Sequence, residues 1–449
     1  MRRLFVLGLD CAPPSIMYEG MGNVELGPLA EIIEEGERYV MHSTHPPITI
    51  PAWISMFTGK TPGELGLYGF RHRRPGDLRA SYIADSTRVR AEPLWSKVGK
   101  AGGRVGVVGV PPTYPPRPVH GFLVTDFITP GPEKPWTFPP WLKRELVERF
   151  GEYIFDVVFR SEDKARVARD LRHMLGKHLA VVKYLMSRKE WDLMIYVEIG
   201  VDRAHHAFWK YFDPEHPRHE EHEEFSRVIP EVYERIGEWF GEVRKHLKDT
   251  VIAVLSDHGA KYMKGAFAVN QWLEEEGYLK LKERPKRPGE DLRPEMIDWG
   301  STVAWAWGGY YSRIFINLRG REPNGVVGKE EYWELIKNLR SSLERVRGPN
   351  GEVWDTKTVV PSEIYPVVNG DPPDLMVYFD NLYWRAAGTI GWPSMYLPEN
   401  DRGPDDAVHD WYGVLTIYDP EGTHSPGDRG VIKAEEVYGK LAGAMGLAE

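Results

Sequence analysis

Five short apolar runs, separated by longer amphipathic stretches, constrain the fold of this chain more than any other feature. They lie at residues 4–9, 104–110, 121–125, 193–198 and 251–255. A nearly continuous apolar run of this length is typical of a strand buried on both faces in a parallel sheet. The sequence therefore predicts an α/β fold, a three-layer αβα sandwich with a central, mostly parallel sheet.

Helical spacing of apolar residues predicts helices at 51–57, 162–189 and 220–247, the last interrupted near Pro230. Ser161 is a suitable N-cap for the second of these helices. After residue 260 the predicted strands and helices no longer alternate regularly. The elements predicted there are strands at 313–317 and 374–379, and helices at 329–346 and 434–447.

The chain length of 449 residues exceeds that of a typical single domain. We expect residues 1–260 and 421–449 to form a catalytic core. Residues 261–420 are then a cap or insert region that also contributes some core strands. The aromatic-rich segments 299–311 and 381–413 either line a wall of this cap or pack between cap and core.

Net charge and cysteine content exclude several classes of protein. A net charge of −9 argues against a general nucleic-acid binder or a protein of anionic membrane surfaces. Cys11 is the sole cysteine, so no intrachain disulfide forms, which fits a cytoplasmic protein. The apolar run after Met1 is too short for a signal sequence, and no run approaches the ~20 residues of a membrane span. Composition predicts no oligomeric state.

Acidic and histidine side chains follow three of the predicted strands, and one more histidine lies near the end of the chain. The six residues are Asp10, Asp202, His206, Asp257, His258 and His424. Ligands of open α/β sheets bind beyond the carboxyl ends of the strands, so we expect these side chains to meet there. A single such Asp is more often a helix cap, but the joint occurrence favours a site for two divalent metal ions.

Thr49 adds a hydroxyl to this set. The helix predicted from Pro51 places Thr49 just before a helix N-terminus, where backbone amides and the helix dipole favour a phosphate. A hydroxyl beside two metal ions is a suitable nucleophile. The alternative is that Thr49 only caps the helix. Together, the ligands and the hydroxyl predict a two-metal phosphoryl-transfer enzyme.

Five segments resemble the alkaline phosphatase superfamily, in particular its type I phosphodiesterase/nucleotide pyrophosphatase branch and the prokaryotic predicted phosphohydrolases and phosphomutases. They are residues 8–10 (GLD), 46–66 (PPITIPAWISMFTGKTPGELG), 202–217 (beginning DRAHH), 256–259 (SDHG) and 422–426 (GTHSP). They occur in the order of the family and span nearly the whole chain.

The resemblance implies a division of the ligands between two ions. One ion is held by Asp10, Thr49, Asp257 and His258, and the other by Asp202, His206 and His424. Zinc is implied, and manganese is compatible with mixed nitrogen and oxygen ligands. The resemblance also implies attack on phosphorus by Thr49 and hydrolysis of a phosphothreonine intermediate.

Two positions depart from the family pattern. Phe70 replaces an Asn that binds a phosphoryl oxygen, and Leu65 replaces the His of a Pro-x-x-His-Gly segment. The backbone amide of Ile50 and the side chain of Arg71 are the substitutes we expect, with Arg73 and Arg74 as alternatives. Ile50, Phe70 and Arg71 are therefore the predicted substrate-binding residues. The arginine-rich run at 71–74 is otherwise interpreted as a solvated loop.

A small phosphate ester or nucleotide is the expected substrate, and a diester is favoured because no Arg follows Thr49 as in monoesterase relatives. Trp53, Tyr68 and Phe70 either stack on a base or belong to the core. A phosphomonoesterase or phosphomutase and a catalytically silent metal-binding relative are the alternatives. A sulfatase is disfavoured, because the sequence after Thr49 lacks the Cys/Ser-x-Pro-x-Arg pattern.

A further acidic and histidine cluster near the end of the chain is interpreted as a surface turn rather than a third metal site. It consists of Asp405, Asp406 and His409.

Overall fold

The computed structural model describes residues 1–423 and 425–447, and the predicted ligand His424 lies outside the described residues. The α/β class predicted from the apolar runs is confirmed. The chain forms two compact units. The first contains Met1–Leu65, Ala84–Ala260 and His409–Glu449, and the second contains Gly66–Ile83 and Lys261–Val408.

A sheet of nine described strands forms the centre of the first unit. The strands are β1 (Arg3–Leu9), β2 (Glu37–His42), β3 (Val105–Val108), β4 (Gly121–Val124), β5 (Thr137–Phe138), β6 (Leu193–Glu198), β7 (Thr250–Leu255), β8 (Tyr412–Tyr418) and β9 (Gly427–Lys433). Their order across the sheet is β9-β2-β8-β7-β1-β6-β3-β4-β5. The five central neighbours from β7 to β4 are all parallel, and they are the five apolar runs of the sequence.

Register places the carboxyl ends of the central strands at one level. Leu9 at the end of β1 pairs with Glu198 at the end of β6, and Gly8 pairs with Leu255 at the end of β7. Strand β8 is antiparallel to β7 and to β2, so β8 begins at the edge where β7 and β2 end. Residues that follow β1, β2, β6 and β7, or precede β8, therefore share this edge.

The helices of the first unit are α1 (Pro14–Met17), α2 (Pro28–Glu35), α3 (Thr49–Thr58), α4 (Pro62–Leu65), α5 (Leu94–Lys100), α6 (Trp141–Phe150), α7 (Lys164–Arg188), α8 (Gly200–Phe212), α9 (Val228–Val243) and α10 (Val437–Ala444). Helices α7, α8 and α9 pack on one another, and α3 packs on α10.

The predicted N-cap of α7 and the predicted start and interruption of α9 are wrong. The N-cap of α7 is Asp163 rather than Ser161, because the Asp163 carboxylate accepts the backbone N–H of Arg166 at 3.0 Å. Helix α9 begins at Val228 rather than at residue 220, and Pro230 lies in its first turn without interrupting it. Proline is tolerated there because the first-turn amides have no partner inside the helix.

The second unit has its own sheets and core. A four-stranded sheet has the order Ala304–Trp307, Ser312–Ile316, Leu375–Tyr378 and Lys357–Val359, and a three-stranded sheet has the order Trp384–Ala387, Gly265–Ala268 and Tyr396–Leu397. A hairpin joins Arg71–Arg74 to Asp77–Ile83, and the helices are Val269–Glu275, Lys329–Glu344 and Pro361–Ile364. Strands Gly259–Tyr262 and Ala407–Asp410 run through the boundaries of the units.

The arginine-rich run is a strand of the second unit, so its interpretation as a solvated loop is wrong. His72 and Arg73 are buried, whereas Arg71 and Arg74 are exposed. The Arg73 guanidinium forms an ion pair with the buried Glu322 and lies 5.1 Å from the centre of the Trp305 ring. Alternation along the strand explains the pattern, because successive side chains point to opposite faces.

Gly8 lets an aromatic side chain lie against the middle of the first-unit sheet. A Cβ at Gly8 would lie 2.5 Å from a ring carbon of Trp53 and 2.8 Å from a methyl group of Val197. Trp53 is fully buried and stacks on Phe57, so this ring belongs to the core and is not available to a nucleobase. Its indole N–H donates to Asp10 Oδ2 at 2.7 Å and fixes the orientation of that carboxylate.

A buried ion pair fixes the start of α8. Glu198, the last residue of β6, is fully buried, and its Oε2 lies 3.0 Å from His178 Nδ1 of α7. Its Oε1 accepts the backbone N–H of Gly200, the first residue of α8, at 2.6 Å, and the Tyr196 hydroxyl also donates to Glu198. Burial lowers the pKa of His178, but the Glu198 charge outweighs it and leaves that pKa raised. Burial raises the pKa of Glu198, but His178 outweighs it and leaves that pKa lowered.

We expect His178→Gln to destabilise the protein by about 3–5 kcal/mol near pH 6, because Glu198 is then a buried charge without its cationic partner. The raised pKa of His178 means that its contribution is complete below about pH 6.5 and is lost as pH rises through the folded-state pKa. The lowered pKa of Glu198 means that its contribution is complete above about pH 4.5 and is lost as pH falls.

Urea unfolding of the wild type and His178→Gln at a series of pH values measures this difference. It should be largest between about pH 4.5 and 6.5 and should shrink at alkaline pH. His173→Gln is the matched control, because His173 is exposed on the same helix. A difference that does not change with pH would show that His178 stabilises the fold by packing alone.

Candidate metal centre

Six of the seven residues predicted to bind metal or to act as the nucleophile meet at the carboxyl edge of the central sheet. Asp10 follows β1, Asp202 and His206 lie on α8 after β6, and Asp257 and His258 follow β7. Thr49 is the first residue of α3, which follows β2. All six are at most 2% exposed. His424, the seventh, lies outside the described residues.

Three side chains surround the Nε2 atom of His258. This nitrogen lies 3.0 Å from Asp257 Oδ2, 3.8 Å from Asp10 Oδ1 and 3.5 Å from Thr49 Oγ1. His258 Nδ1 lies 3.1 Å from the carbonyl oxygen of Gly259. In a neutral His258 whose Nδ1 donates to that carbonyl, Nε2 would offer its lone pair to the space between the two carboxylates, as in metal-bound histidines.

A second group surrounds Asp202. Its Oδ1 lies 3.2 Å from His206 Nε2 and 3.5 Å from His409 Nε2. The Asp202 Oδ2 accepts a hydrogen bond from Arg203 at 2.7 Å. His409 Nδ1 lies 2.8 Å from the carbonyl oxygen of Pro47, which turns its Nε2 towards Asp202. Asp202 also groups with Asp10 and His258, so it lies between the two sets of ligand atoms.

The close carboxylate and imidazole atoms are better explained as ligands of a shared cation than as hydrogen-bonded pairs. Among the residues that the structure describes, Asp10 Oδ1, Asp202 Oδ1 and Asp257 Oδ2 are buried without a hydrogen-bond partner. Such buried oxygen atoms are costly unless a charge satisfies them. Two ligands of one tetrahedral zinc ion, each with a bond of about 2.0–2.2 Å, lie about 3.3–3.6 Å apart. The observed separations of 3.0–3.8 Å bracket this value.

The buried carboxylates also shift the protonation of their neighbours. Burial and the charges of Asp257 and Asp202 raise the pKa of Asp10. Burial would raise the pKa of Asp202, but His206 holds it well below its usual value. Burial would lower the pKa of His258, but Asp257 and Asp10 outweigh burial and raise it to about 9. A protonated imidazole thus offsets part of the negative charge, and a divalent cation would offset more.

His409 lies within the cluster, although the sequence did not predict it as a ligand. The surface-turn interpretation is wrong, because Asp405, Asp406 and His409 are all at most 1% exposed. His409 lies just before β8, whose antiparallel direction brings its start to the edge where β7 ends. The apolar run at residues 412–418 would have indicated this position, if it had been interpreted as a strand antiparallel to β7.

Thr49 does not cap its helix. Ile48 is the N-cap of α3 and Thr49 is its first residue, so the capping interpretation is wrong. The Thr49 hydroxyl instead faces His258. Ile50 is the second helical residue, and its amide lies in the first turn, where amides have no partner within the helix. Phe70 and Arg71 belong to the second unit, with Arg71 exposed and Phe70 half-buried.

Comparisons with known proteins relate this chain to phosphodiesterases. The family model of type I phosphodiesterase / nucleotide pyrophosphatase matches residues 4–405. A search of curated proteins found no significant match. Within the described residues, no helix is both long and apolar enough to cross a membrane.

Solved structures of ectonucleotide pyrophosphatase / phosphodiesterase 5 share the fold. An inactive variant of the murine protein in complex with AMP aligns with a TM-score of 0.59 and 13% identity, and the human protein aligns with 0.58 and 13%. Each alignment covers 100% of this chain and 96% of the other. With the family model matching most of its length, the chain belongs to the type I phosphodiesterase / nucleotide pyrophosphatase family of hydrolases.

Proposed function

We propose that this protein hydrolyses a phosphodiester or pyrophosphate bond of a small molecule such as a nucleotide, with two divalent ions and Thr49 as the nucleophile. The observation that carries the proposal is the position of the Thr49 hydroxyl, 3.5 Å from His258 Nε2 inside a buried cluster of carboxylates and imidazoles. The murine structure with AMP supports a nucleotide, and its inactive form carries a threonine-to-alanine substitution.

The ligand atoms suggest which residues would hold each ion. Asp10, Thr49, Asp257 and His258 would hold one, as the family resemblance implies. Asp202, His206 and His409 would hold the other, with His409 in the role predicted for His424. Three carboxylates and three imidazoles suit zinc, and manganese is also compatible with them. Bound ions would lower the pKa of the Thr49 hydroxyl and neutralise phosphoryl oxygens.

The chemistry proceeds in two displacements at phosphorus. The Thr49 oxygen forms a bond to phosphorus in line with the leaving oxygen, whose bond to phosphorus breaks and which takes up a proton. Water then attacks the phosphothreonine, and cleavage of its Oγ1–P bond restores the Thr49 hydroxyl. The first turn of α3, including the Ile50 amide, favours the phosphate through its unpaired N–H groups and helix dipole.

A diester remains the proposed substrate class, because Ile50, Pro51 and Ala52 follow Thr49 where a monoesterase carries an arginine. A monoester dianion carries more negative charge than a diester. This sequence has no cationic side chain directly after Thr49 to bind the additional charge. Arg71 and Phe70 stay predicted substrate contacts, and a cytoplasmic location stays a prediction from the single cysteine.

Thr49→Ala should lower kcat for bis-(p-nitrophenyl) phosphate by at least about 10³-fold, as loss of a covalent nucleophile does. Thr49→Ser should retain part of the activity, and acid quenching followed by mass spectrometry should detect a phosphorylated residue 49. Thr58→Ala is the matched control, because Thr58 lies on the same helix and donates to the carbonyl oxygen of Ile54. Equal turnover by the wild type and Thr49→Ala would refute the assignment of the nucleophile.

His409→Gln should reduce bound metal from two ions to one per chain, measured by elemental analysis after dialysis. The reason is that the ion beside Asp202 loses one of three ligands, and three are usual for a catalytic zinc. His424→Gln is the comparison variant and should retain both ions. Loss of metal from His424→Gln but not from His409→Gln would show that His424, and not His409, is the third ligand beside Asp202 and His206.

The wild-type kcat/KM for bis-(p-nitrophenyl) phosphate should exceed that for p-nitrophenyl phosphate by at least about tenfold, which corresponds to one charge-assisted hydrogen bond. Both activities should disappear with a chelator and return with zinc. A higher kcat/KM for the monoester would favour the phosphomonoesterase alternative, and no metal-dependent turnover of either ester would favour the silent relative.

A further inference from the structure

The thiol of Cys11 lies beside the ligand cluster and has no part in the proposed chemistry. Cys11 follows Asp10 directly and is fully buried. Its Sγ groups with a carboxylate oxygen of Asp202 and ring nitrogens of His206 and His409, and these atoms all lie within 4.8 Å of one another.

The backbone holds Cys11 in this position. Its N–H donates to Asp257 Oδ1 at 3.1 Å, and its φ angle is +69°. This left-handed conformation suits glycine and is unfavourable for other residues. A glycine would form the same turn without that cost, but it would leave no side chain beside the cluster.

The neighbouring carboxylate gives an independent sign of a missing cation. Asp202 Oδ1 is buried without a hydrogen-bond partner among the described residues, although two imidazole nitrogens lie 3.2 and 3.5 Å away. Asp202, His206 and His409 supply three donors, and a tetrahedral ion has a fourth position. Cys11 Sγ is the fourth donor atom of the same group.

We propose that the Cys11 thiolate is a fourth protein ligand of the ion held by Asp202, His206 and His409, and that it makes this position selective for thiophilic ions. The inference rests on the proposed metal centre. On binding, a metal–sulfur bond forms, and the S–H proton leaves to solvent, without any oxidant. Zinc, cobalt and cadmium accept thiolate ligands readily, whereas manganese and magnesium prefer oxygen.

Without metal, the thiol has a weaker partner, the carbonyl oxygen of Gly259 at 3.4 Å. Metal binding exchanges this long contact for a metal–sulfur bond. With four protein ligands on the ion, the water that hydrolyses the phosphothreonine would have to bind as a fifth ligand, which zinc can accept during catalysis.

Cobalt(II) spectroscopy tests the proposal directly. Cys11 is the sole cysteine, so no other thiol can give a thiolate-to-cobalt charge-transfer band. The wild type loaded with cobalt should show this band in the near ultraviolet. Cys11→Ser and Cys11→Gly should lack it but retain the visible bands of bound cobalt. Cys11→Gly also suits the left-handed backbone, so the test does not depend on the folding of the serine variant.

Identical near-ultraviolet spectra of the wild type and both variants would overturn the role of Cys11. Failure of the wild type to bind cobalt at all would instead refute the proposed metal centre, so the two failures are distinguishable. X-ray absorption of the zinc-loaded wild type provides a test without substitutions, since a Zn–S bond of about 2.3 Å must appear.

Metal selectivity gives the second readout. Cys11→Ser should weaken zinc binding by at least about tenfold relative to manganese binding, because a soft ligand is replaced by a hard one. Competition between the two ions, followed by elemental analysis, measures this ratio. An equal loss of affinity for both ions would show that Cys11 acts only by packing.

Discussion

Negative charge buried at the edge of the sheet is the constraint on which the rest of the structure depends. Asp10, Asp202 and Asp257 are each at most 1% exposed, and a group of uncompensated carboxylates at such a depth is unfavourable. In the protein without metal, a protonated His258 offsets part of this charge, as its raised pKa shows. The central strands supply the rigid frame that holds the carboxylates together despite their repulsion.

Several of the candidate ligands are held by contacts outside the cluster. Trp53 donates to Asp10, and the Pro47 carbonyl oxygen fixes the ring of His409. Glu198 anchors the start of α8, which carries both Asp202 and His206. Such contacts fix tautomers and side-chain directions before an ion binds, so less conformational entropy is lost on binding. The core of the first unit thus preorganises the site.

The sequence predicted the five central strands because strands buried on both faces are continuously apolar. It did not predict β2 or β8, because β2 alternates between buried and half-buried residues and β8 begins directly after the short strand Ala407–Asp410. Because β8 was not predicted, nothing in the sequence placed His409 at the edge of the sheet, and it was interpreted as a loop residue. The composition of residues 66–83 does not reveal that they belong to the second unit, because this depends on contacts distant in sequence, such as the ion pair of Arg73 with Glu322.

Charge balance supports a role for the thiolate. The two proposed divalent ions would carry four positive charges, whereas Asp10, Asp202 and Asp257 carry three negative charges and metal-bound imidazoles are neutral. Arg203, which contacts Asp202, adds no net charge because it is also paired with Asp156. The thiolate of Cys11 would bring the buried centre to neutrality before substrate enters. A neutral centre avoids the desolvation cost of an excess charge, and an arriving phosphodiester then adds a single negative charge. Asp202 lies between both sets of ligand atoms, so the charge at one ion would influence the binding of the other.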